Sequence, residues 1–254
     1  MPLEVDFRTI LYALTALRSH KCTLMDIGDN FSNSFDYAKK LFSDGGRLLI
    51  LIILDIIPIV NWIVVGYASR VLKEAPGGKT PPKLEDYGDL FIEGAKVFFV
   101  SLIYMIVPLL LIGVGIASFL SGMFMGGSMF SGTASPAEAG GMFVLGGTGI
   151  ALLVVGVILA FLALIVLGAA IAHMIKKGKF GKAFAFGEIL GVIRGIGWGK
   201  YLAWVILVAI IAALVSALTT VIPLLGWLIG AIISPAVAVF FFRSLGILYS
   251  GKGR

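Results

Sequence analysis

Apolar positions along the chain form long runs that alternate with short segments of amphipathic helical spacing. The longest runs, with Arg243 as their single charged residue, cover residues 97–120, 142–172, 201–222 and 225–249. Each run is as long as the ~20 residues that cross a bilayer as a helix. The pattern therefore predicts an all-α, polytopic membrane protein with four full transmembrane helices.

A fifth apolar run, residues 48–69, is interrupted by Asp55, Pro58 and Asn61. Between Arg47 and Pro58 a helix would rise only about 15 Å, which is half of a bilayer. Pro58 disfavours continuation of the helix, and Asn61 can satisfy the backbone groups that are freed there. The run predicts a re-entrant hairpin, while a single full crossing, which would make five transmembrane helices, is left open.

Three short amphipathic segments introduce three hairpin units, which cover residues 30–72, 80–173 and 179–250. The second segment is expected to open as a helix at Pro81-Pro82, and glycines at 195, 197 and 199 are expected to break the third. We expect all three to be interfacial helices on the cytoplasmic side. Their apolar faces are Phe31, Phe35, Ala38 and Phe42; Leu84, Tyr87, Phe91 and Ala95; and Phe180, Ala183, Phe184, Gly187 and Leu190.

The distribution of basic residues sets the expected orientation. Lys and Arg occur in the segments 8–47, 70–96, 176–200 and 243–254, and the connections 121–141 and 223–227 contain none. Cytoplasmic loops retain basic residues. With a re-entrant hairpin, all 20 basic residues and both termini lie on the cytoplasmic side of the cell membrane. With five crossings, the amino terminus would be external.

Composition agrees with a membrane location. The chain of 254 residues is 59% apolar and 13% charged, whereas a soluble domain is about 45–50% apolar and about 25% charged. The net charge of +6 would raise the question of nucleic acid in a soluble protein. Here the basic residues flank apolar runs, where they meet anionic lipid headgroups, so no nucleic-acid partner is expected.

Small residues at a spacing of four predict how the last two spans pack. Transmembrane helices associate through the close approach of small side chains. The last span carries Gly226, Gly230, Ser234 and Ala238 on one face, and the preceding span carries Ala209, Ala213 and Ala217. We expect these two faces to meet, with the connecting turn at Pro223 and Gly226 and the turn of the first hairpin at Pro58.

Candidate chemistry is sparse. No His-Glu-x-x-His, Cys-x-x-Cys or Gly-x-Ser-x-Gly pattern occurs, so no catalytic, cofactor or metal site is expected, and the protein is expected not to be an enzyme. Asp55 is an acid inside an apolar run, which is by default a functional hypothesis. Its alternative role is to cap the hairpin or reach interfacial water. The acids Glu85, Asp86, Asp89 and Glu93 form either a solvated face or a docking surface for a basic partner.

Several short segments carry a resemblance to a known family. They are residues 66–72 (GYASRVL), Pro81-Pro82, 86–94 (DYGDLFIEG), 102–104 (LIY), 196–201 (IGWGKY) and 243–246 (RSLG). The chain resembles the integral membrane proteins of domain of unknown function 4013, which are common in archaea and some bacteria. The resemblance implies one membrane domain over residues 25–254, with residues 1–24 as an extension. It implies no activity, cofactor or catalytic residue, and the acids at 85–93 match its pattern.

The sequence thus favours a non-enzymatic membrane scaffold or accessory subunit. Its expected partners are membrane lipids and other membrane subunits or further copies of the chain. The alternative is a channel or small-solute permease in which the re-entrant hairpin around Asp55 forms the constriction.

Overall fold

The computed structural model describes residues 27–130, 136–221 and 223–251, and the amino-terminal extension 1–24 lies outside them. Within this part every regular element is a helix, so the all-α prediction is confirmed. The helices are α1 Ile27–Phe42, α2 Gly45–Ile56, α3 Trp62–Glu74, α4 Tyr87–Phe130, α5 Pro136–Lys177, α6 Phe186–Ile196, α7 Trp198–Val221 and α8 Pro223–Ser250, with a short 3-10 helix at Phe180–Phe184.

The expected number of membrane-crossing helices is also confirmed within the described residues. Four helical segments are long and apolar enough to span a bilayer: Tyr87–Phe124, Phe143–Lys177, Trp198–Ala217 and Leu228–Ser250. They belong to α4, α5, α7 and α8. Residues 48–69 are not one continuous helix, because the chain turns at residues 57–61 between α2 and α3.

The described residues form two compact units, the first made of residues 27–95 and 172–251 and the second of Lys96–Ile171. In the first unit, α8 is the central helix, because α1, α2, α3 and α7 all pack against it. The buried apolar side chains of this core are Tyr37, Ala38, Leu41, Leu51, Val64, Tyr67, Val71, Leu90, Ala236, Val239 and Phe240.

The second unit is an antiparallel pair formed by α4 and α5. Glycines allow the two backbones to approach closely, because a Cβ atom on Gly149 would lie 2.5 Å from the backbone nitrogen of Phe119. The same contact recurs one and two turns further along the pair, where Gly115 lies against Leu153 and Gly156 lies against Ile112. Close packing of small residues therefore holds this pair together, as expected for helices surrounded by lipid.

Helices α2 and α3 form a helical hairpin whose two outer ends lie near the carboxyl end of α8. Gly246, four residues before that end, lies against Leu72 and Ala75 at the end of α3. At the start of α2, Asp44 accepts a hydrogen bond from the Arg47 backbone at 3.1 Å. The Arg47 guanidinium in turn donates to the carbonyls of Pro81 and Pro82 in the segment that follows α3. The hairpin thus begins and returns at one end of the first unit.

The turn of this hairpin is tight and lies along the middle of α8. Ile59 has a φ of 70°, in the left-handed region that β-branched residues rarely adopt. Ser234, which contacts Asp55, is 11 residues from the start of α8 and 16 from its end. At 1.5 Å per residue these separations are about 17 Å and about 24 Å. The hairpin therefore extends along roughly half of the length of α8.

The predicted apolar face of α1 is only partly buried, since Ala38 is 5% exposed and Phe31 packs on the core. In α1 the buried side chains are Asn30, Ser34, Tyr37, Ala38 and Leu41, whereas Phe35 and Phe42 are 55% and 50% exposed. Polar residues can be buried here because they are hydrogen-bonded. The Asn30 amide donates to the Ser244 carbonyl at 3.1 Å, and the Ser34 hydroxyl donates to the Asn30 carbonyl at 2.8 Å.

The second amphipathic segment is not a separate interfacial helix. Residues 81–86 are not helical, and Asp86 has a φ of 56°. The helix begins at Tyr87 rather than at Pro82 and continues without a break into the first long span. Leu84 packs on the core from this non-helical segment, so it does not share a helix face with Phe91.

The third amphipathic segment consists of the 3-10 helix and α6. Its buried side chains are Ala183, Ile189, Val192 and Ile193, whereas Phe180 is exposed and Leu190 is only partly buried. The prediction treats this segment as one continuous helix. The break at Ala185 changes which residues of α6 lie on the same face as those of the 3-10 helix. Gly197, with a φ of 96°, ends α6 as the glycine pattern indicates.

The contact between α7 and α8 involves the predicted face of α8 but not that of α7. Gly226 and Gly230 both lie against Thr219. The predicted alanine face of α7, made of Ala209, Ala213 and Ala217, is exposed. The α7 residues that are buried or lie on the core are instead Tyr201, Trp204 and Ile211, and the Trp204 indole donates to the Ser244 hydroxyl at 2.7 Å.

Candidate functional site

A cavity of about 460 Å³ lies between the carboxyl end of α2, the second half of α7 and the first half of α8. Its polar lining consists of Asp55 from α2, Ser216 and Thr219 from α7, and Ser234 from α8. The remaining wall is apolar or glycine. The intramembrane acid predicted from the sequence therefore faces hydroxyl groups from two spans.

Asp55 occupies an unfavourable electrostatic position. It lies in the last turn of α2, where the helix dipole places partial negative charge near a carboxylate. The carboxylate is half-buried, and its hydrogen-bond partner is the Ser234 side chain. None of the described lining residues is basic. Asp55 is therefore an acid at a position where a negative charge destabilises the helix.

Pro235 adds a backbone acceptor beside this acid. Proline inside a helix has no N–H, so the carbonyl four residues earlier loses its usual hydrogen bond. In α8 that carbonyl belongs to Ala231, which also lines the cavity. Gly226 completes the wall, because a Cβ atom there would lie 1.9 Å from the Thr219 carbonyl oxygen.

A second polar cluster joins the end of α5 to α6 and α8. His173 is 2% exposed, and its Nε2 lies 2.8 Å from a Glu188 carboxylate oxygen. Its Nδ1 lies 2.8 Å from the Tyr249 hydroxyl. The Lys182 ammonium donates to the other carboxylate oxygen of Glu188, and these contacts fasten α6 to two long helices.

The hydrogen bond from Lys182, followed by the hydrogen bond to His173, lowers the pKa of Glu188 from 4.5 to about 2. Sequence spacing gives no sign of this cluster, because its members are separated by turns and whole helices.

Arg243, near the end of α8, organises a third polar region. It is 3% exposed, stacks over the Tyr37 ring at 4.3 Å from its centroid, and donates to the Pro76 carbonyl at 2.8 Å. Burial raises the pKa of Tyr37 to about 12, although the nearby Arg243 charge opposes this shift. Arg243 thereby ties α1 and the turn after α3 to the end of α8.

Sequence comparison now identifies the family. Residues 48–224 match the family described as Protein of unknown function (DUF4013), which is well over half of the chain. The chain belongs to this family. No curated protein and no solved structure matches it. The matched range contains Asp55, Ser216 and Thr219 of the cavity, whereas Ser234 and the rest of α8 beyond Leu224 lie outside it.

In this DUF4013 protein Gly226 of the predicted hairpin turns lines the cavity, whereas Asn61 and Pro58 do not. Asn61 precedes α3, and its backbone carbonyl, rather than its side chain, accepts hydrogen bonds from Val64 and Val65. Pro58 is exposed in the turn. Pro223 begins α8, and Gly226 lies in its first turn.

The predicted acidic face is not one surface of one helix. Glu85 and Asp86 precede α4, whereas Asp89 and Glu93 lie within it. Their ion pairs are long and exposed, with 3.7 Å from Arg70 to Asp86 and 3.9 Å from Lys83 to Glu85, so they contribute little stability. The sequence pattern predicts a helix from Pro82, whereas α4 begins five residues later, at Tyr87.

We expect replacement of Glu188 by glutamine to flatten the acid branch of the stability profile. The folded pKa of Glu188 is below its ordinary value of 4.5. The contribution of the ionised Glu188 to the stability of the folded state is therefore complete above pH 4.5. It is lost as the pH falls towards about 2. The thermal midpoint of the detergent-purified protein, measured across this pH range, should fall less steeply in Glu188→Gln than in wild type.

Glu85→Gln is the control for this measurement, because Glu85 is exposed and should leave the slope unchanged. Identical slopes for wild type and Glu188→Gln would show that the cluster does not hold α6 in place.

Proposed function

We propose that this DUF4013 protein is a channel or permease for a small polar solute, with the cavity at Asp55 as its solute site. The protein is a multi-pass membrane protein, and a polar cavity within its bundle is the kind of place where solutes bind. The observation that supports the proposal is the convergence of Asp55 with hydroxyl groups from α7 and α8. An acid serving only as a cap would have no need of such a cavity.

The helical hairpin α2–α3 enters this proposal as a re-entrant segment. Its ends lie at one end of the bundle and its turn lies along the middle of α8, which suits a segment that dips halfway into the bilayer. Backbone that is not helical is tolerated at membrane depth where it is buried or lines a cavity. Together with the distribution of the basic residues, a re-entrant segment supports the proposal that both termini lie on the cytoplasmic side of the cell membrane.

A non-enzymatic accessory subunit is the second candidate. It is favoured by the small share of each span that is buried within the described residues, from 11% in the third span to 33% in the fourth. The uncovered surface has room for lipid, for another membrane subunit or for further copies of the chain. In that case Asp55 would serve the structure of the hairpin rather than a solute.

A flux assay in liposomes tests the first candidate. Purified protein is reconstituted, and gradients of urea, glycerol, sodium or methylammonium are applied in parallel. At least one solute should cross faster than in protein-free liposomes, and Asp55→Asn should reduce that flux. Loss of an interaction with a charged group costs about 1.5–3 kcal/mol, which corresponds to a loss of roughly tenfold or more.

Asp89→Asn is the matched control, because Asp89 is an exposed acid in the first turn of α4. It should transport at the wild-type rate. Wild-type liposomes no faster than empty ones for every solute, or equal rates for wild type and Asp55→Asn, would overturn the permease and leave the accessory role.

A further inference from the structure

The charge of Asp55 is not balanced by any described residue of the cavity. The lining there includes no lysine, arginine or histidine, and the ion pairs of the described chain do not involve Asp55. A carboxylate that is partly removed from water is unfavourable unless a proton or a cation neutralises it. The end of the α2 dipole adds further negative potential at the same point.

The other polar groups of the cavity are oxygen ligands. Ser216, Thr219 and Ser234 contribute hydroxyls, and the Ala231 carbonyl is released from helical hydrogen bonding by Pro235. Broken helices that present carbonyls and negative helix ends coordinate monovalent cations in membrane proteins. The cavity has one such carbonyl, although α8 is continuous through Pro235, and it has the carboxyl end of α2 together with one carboxylate.

Taken together, these features lead us to infer that the cavity binds a small monovalent cation, either an inorganic ion such as sodium or a small primary ammonium. The inference rests on the proposed function and names its solute class. A divalent ion fits less well, because such sites use several carboxylates, and the described residues contain no group of three or more His, Cys, Asp or Glu side chains suited to a metal. The volume of about 460 Å³ admits an ion with water, and Ile56 and Val215 offer an apolar wall for a short alkyl group.

Thermal unfolding of the intact protein in detergent tests the inference. Sodium chloride, potassium chloride or methylammonium chloride replaces N-methylglucamine chloride at constant ionic strength and constant pH. A ligand that binds only the folded state raises the midpoint with its concentration. We expect a saturable rise with at least one of the three cations, abolished in Asp55→Asn and weakened in Ser234→Ala. Asp89→Asn should retain the full rise.

The possible results distinguish a cation at Asp55 from a proton at Asp55 and from a cation bound elsewhere. A stability that depends on pH but not on any of the three cations would show that a proton alone neutralises Asp55 and would overturn the inference. An undiminished rise in both Asp55→Asn and Ser234→Ala would place the cation elsewhere and overturn it as well. If Asp55→Asn does not fold, Ser234→Ala alone decides.

Comparison with the liposome assay separates this inference from the proposed function. Asp55-dependent flux of urea or glycerol without cation binding would retain the permease and reject the cation. Asp55-dependent cation binding without any flux would retain the cation site and reject the permease.

Discussion

Replacement of Gly66 by alanine is expected to remove most of the folded protein. A Cβ atom on Gly66 would lie 1.8 Å from the Leu90 carbonyl oxygen, and one on Gly94 would lie 1.8 Å from the Trp62 carbonyl oxygen. The backbones of α3 and α4 therefore cross at two facing glycines. Overpacking an ordinary core costs about 1–3 kcal/mol, and a clash with backbone is at the upper end because no side chain can rotate away.

The measurement is the monodisperse yield after size-exclusion chromatography in mild detergent, together with the thermal midpoint. Gly88→Ala is the matched control, because Gly88 lies in the same helix as Gly94 and a Cβ atom there would meet nothing within 4 Å. That variant should match wild type in both yield and midpoint. A normal yield and midpoint for Gly66→Ala would mean that α3 and α4 do not cross at this distance.

Replacement of Trp204 by alanine is expected to lower the free energy of unfolding by about 3–5 kcal/mol, the range found for large buried aromatic residues. Trp204 is 5% exposed, and its indole donates to the Ser244 hydroxyl within the contact between α7 and α8. Truncation leaves a cavity and a buried hydroxyl without its donor. Unfolding of the purified protein by a denaturing detergent, followed by circular dichroism, gives this quantity.

Trp198 provides the comparison within the same helix. It is 44% exposed at the start of α7, so Trp198→Ala should change the free energy of unfolding far less. Phenylalanine at 204 should give an intermediate loss, since an aromatic ring is retained while the hydrogen bond disappears. Equal effects at 198 and 204 would contradict the described packing of α7 on α8.

The membrane class and the spans could be predicted from the sequence because both depend on local properties. Four apolar runs of sufficient length require little knowledge of tertiary structure. The interruption of residues 48–69 could be predicted for the same reason, because Pro58 and Asn61 disfavour a continuous helix wherever it lies. Asp55 stood out as an acid inside an apolar run. Each of these predictions depends on the residues of one segment and not on the segments that pack against it.

The buried faces of the short helices were harder to predict because an apolar stripe can contact either the protein core or lipid. In water an aromatic stripe faces the core, whereas beside a membrane it can face outward. In α1 the residues Phe35 and Phe42 are exposed, and Asn30 and Ser34 are buried through hydrogen bonds to partners that include Ser244, more than 200 residues away. No local pattern indicates such a partner.

The other features that could not be predicted are contacts between residues that are distant in the sequence and become neighbours only in the folded protein. A search for small residues spaced by four finds a repeat within one helix, as at Gly226 and Gly230. It cannot find Gly66 facing the start of α4, because that contact depends on how two helices cross. Similarly, Asp55 could be singled out from the sequence, but not the cavity that it shares with Ser216 and Thr219, which come from another span.

The central place of α8 has a consequence for biosynthesis. A ribosome delivers α1, α2 and α3 long before α8, yet Ala236, Val239 and Phe240 of α8 supply the surface against which they pack. The early helices can contact one another, but they cannot complete their packing until the last span is released. Assembly of the first unit is accordingly completed only after α8 has been made.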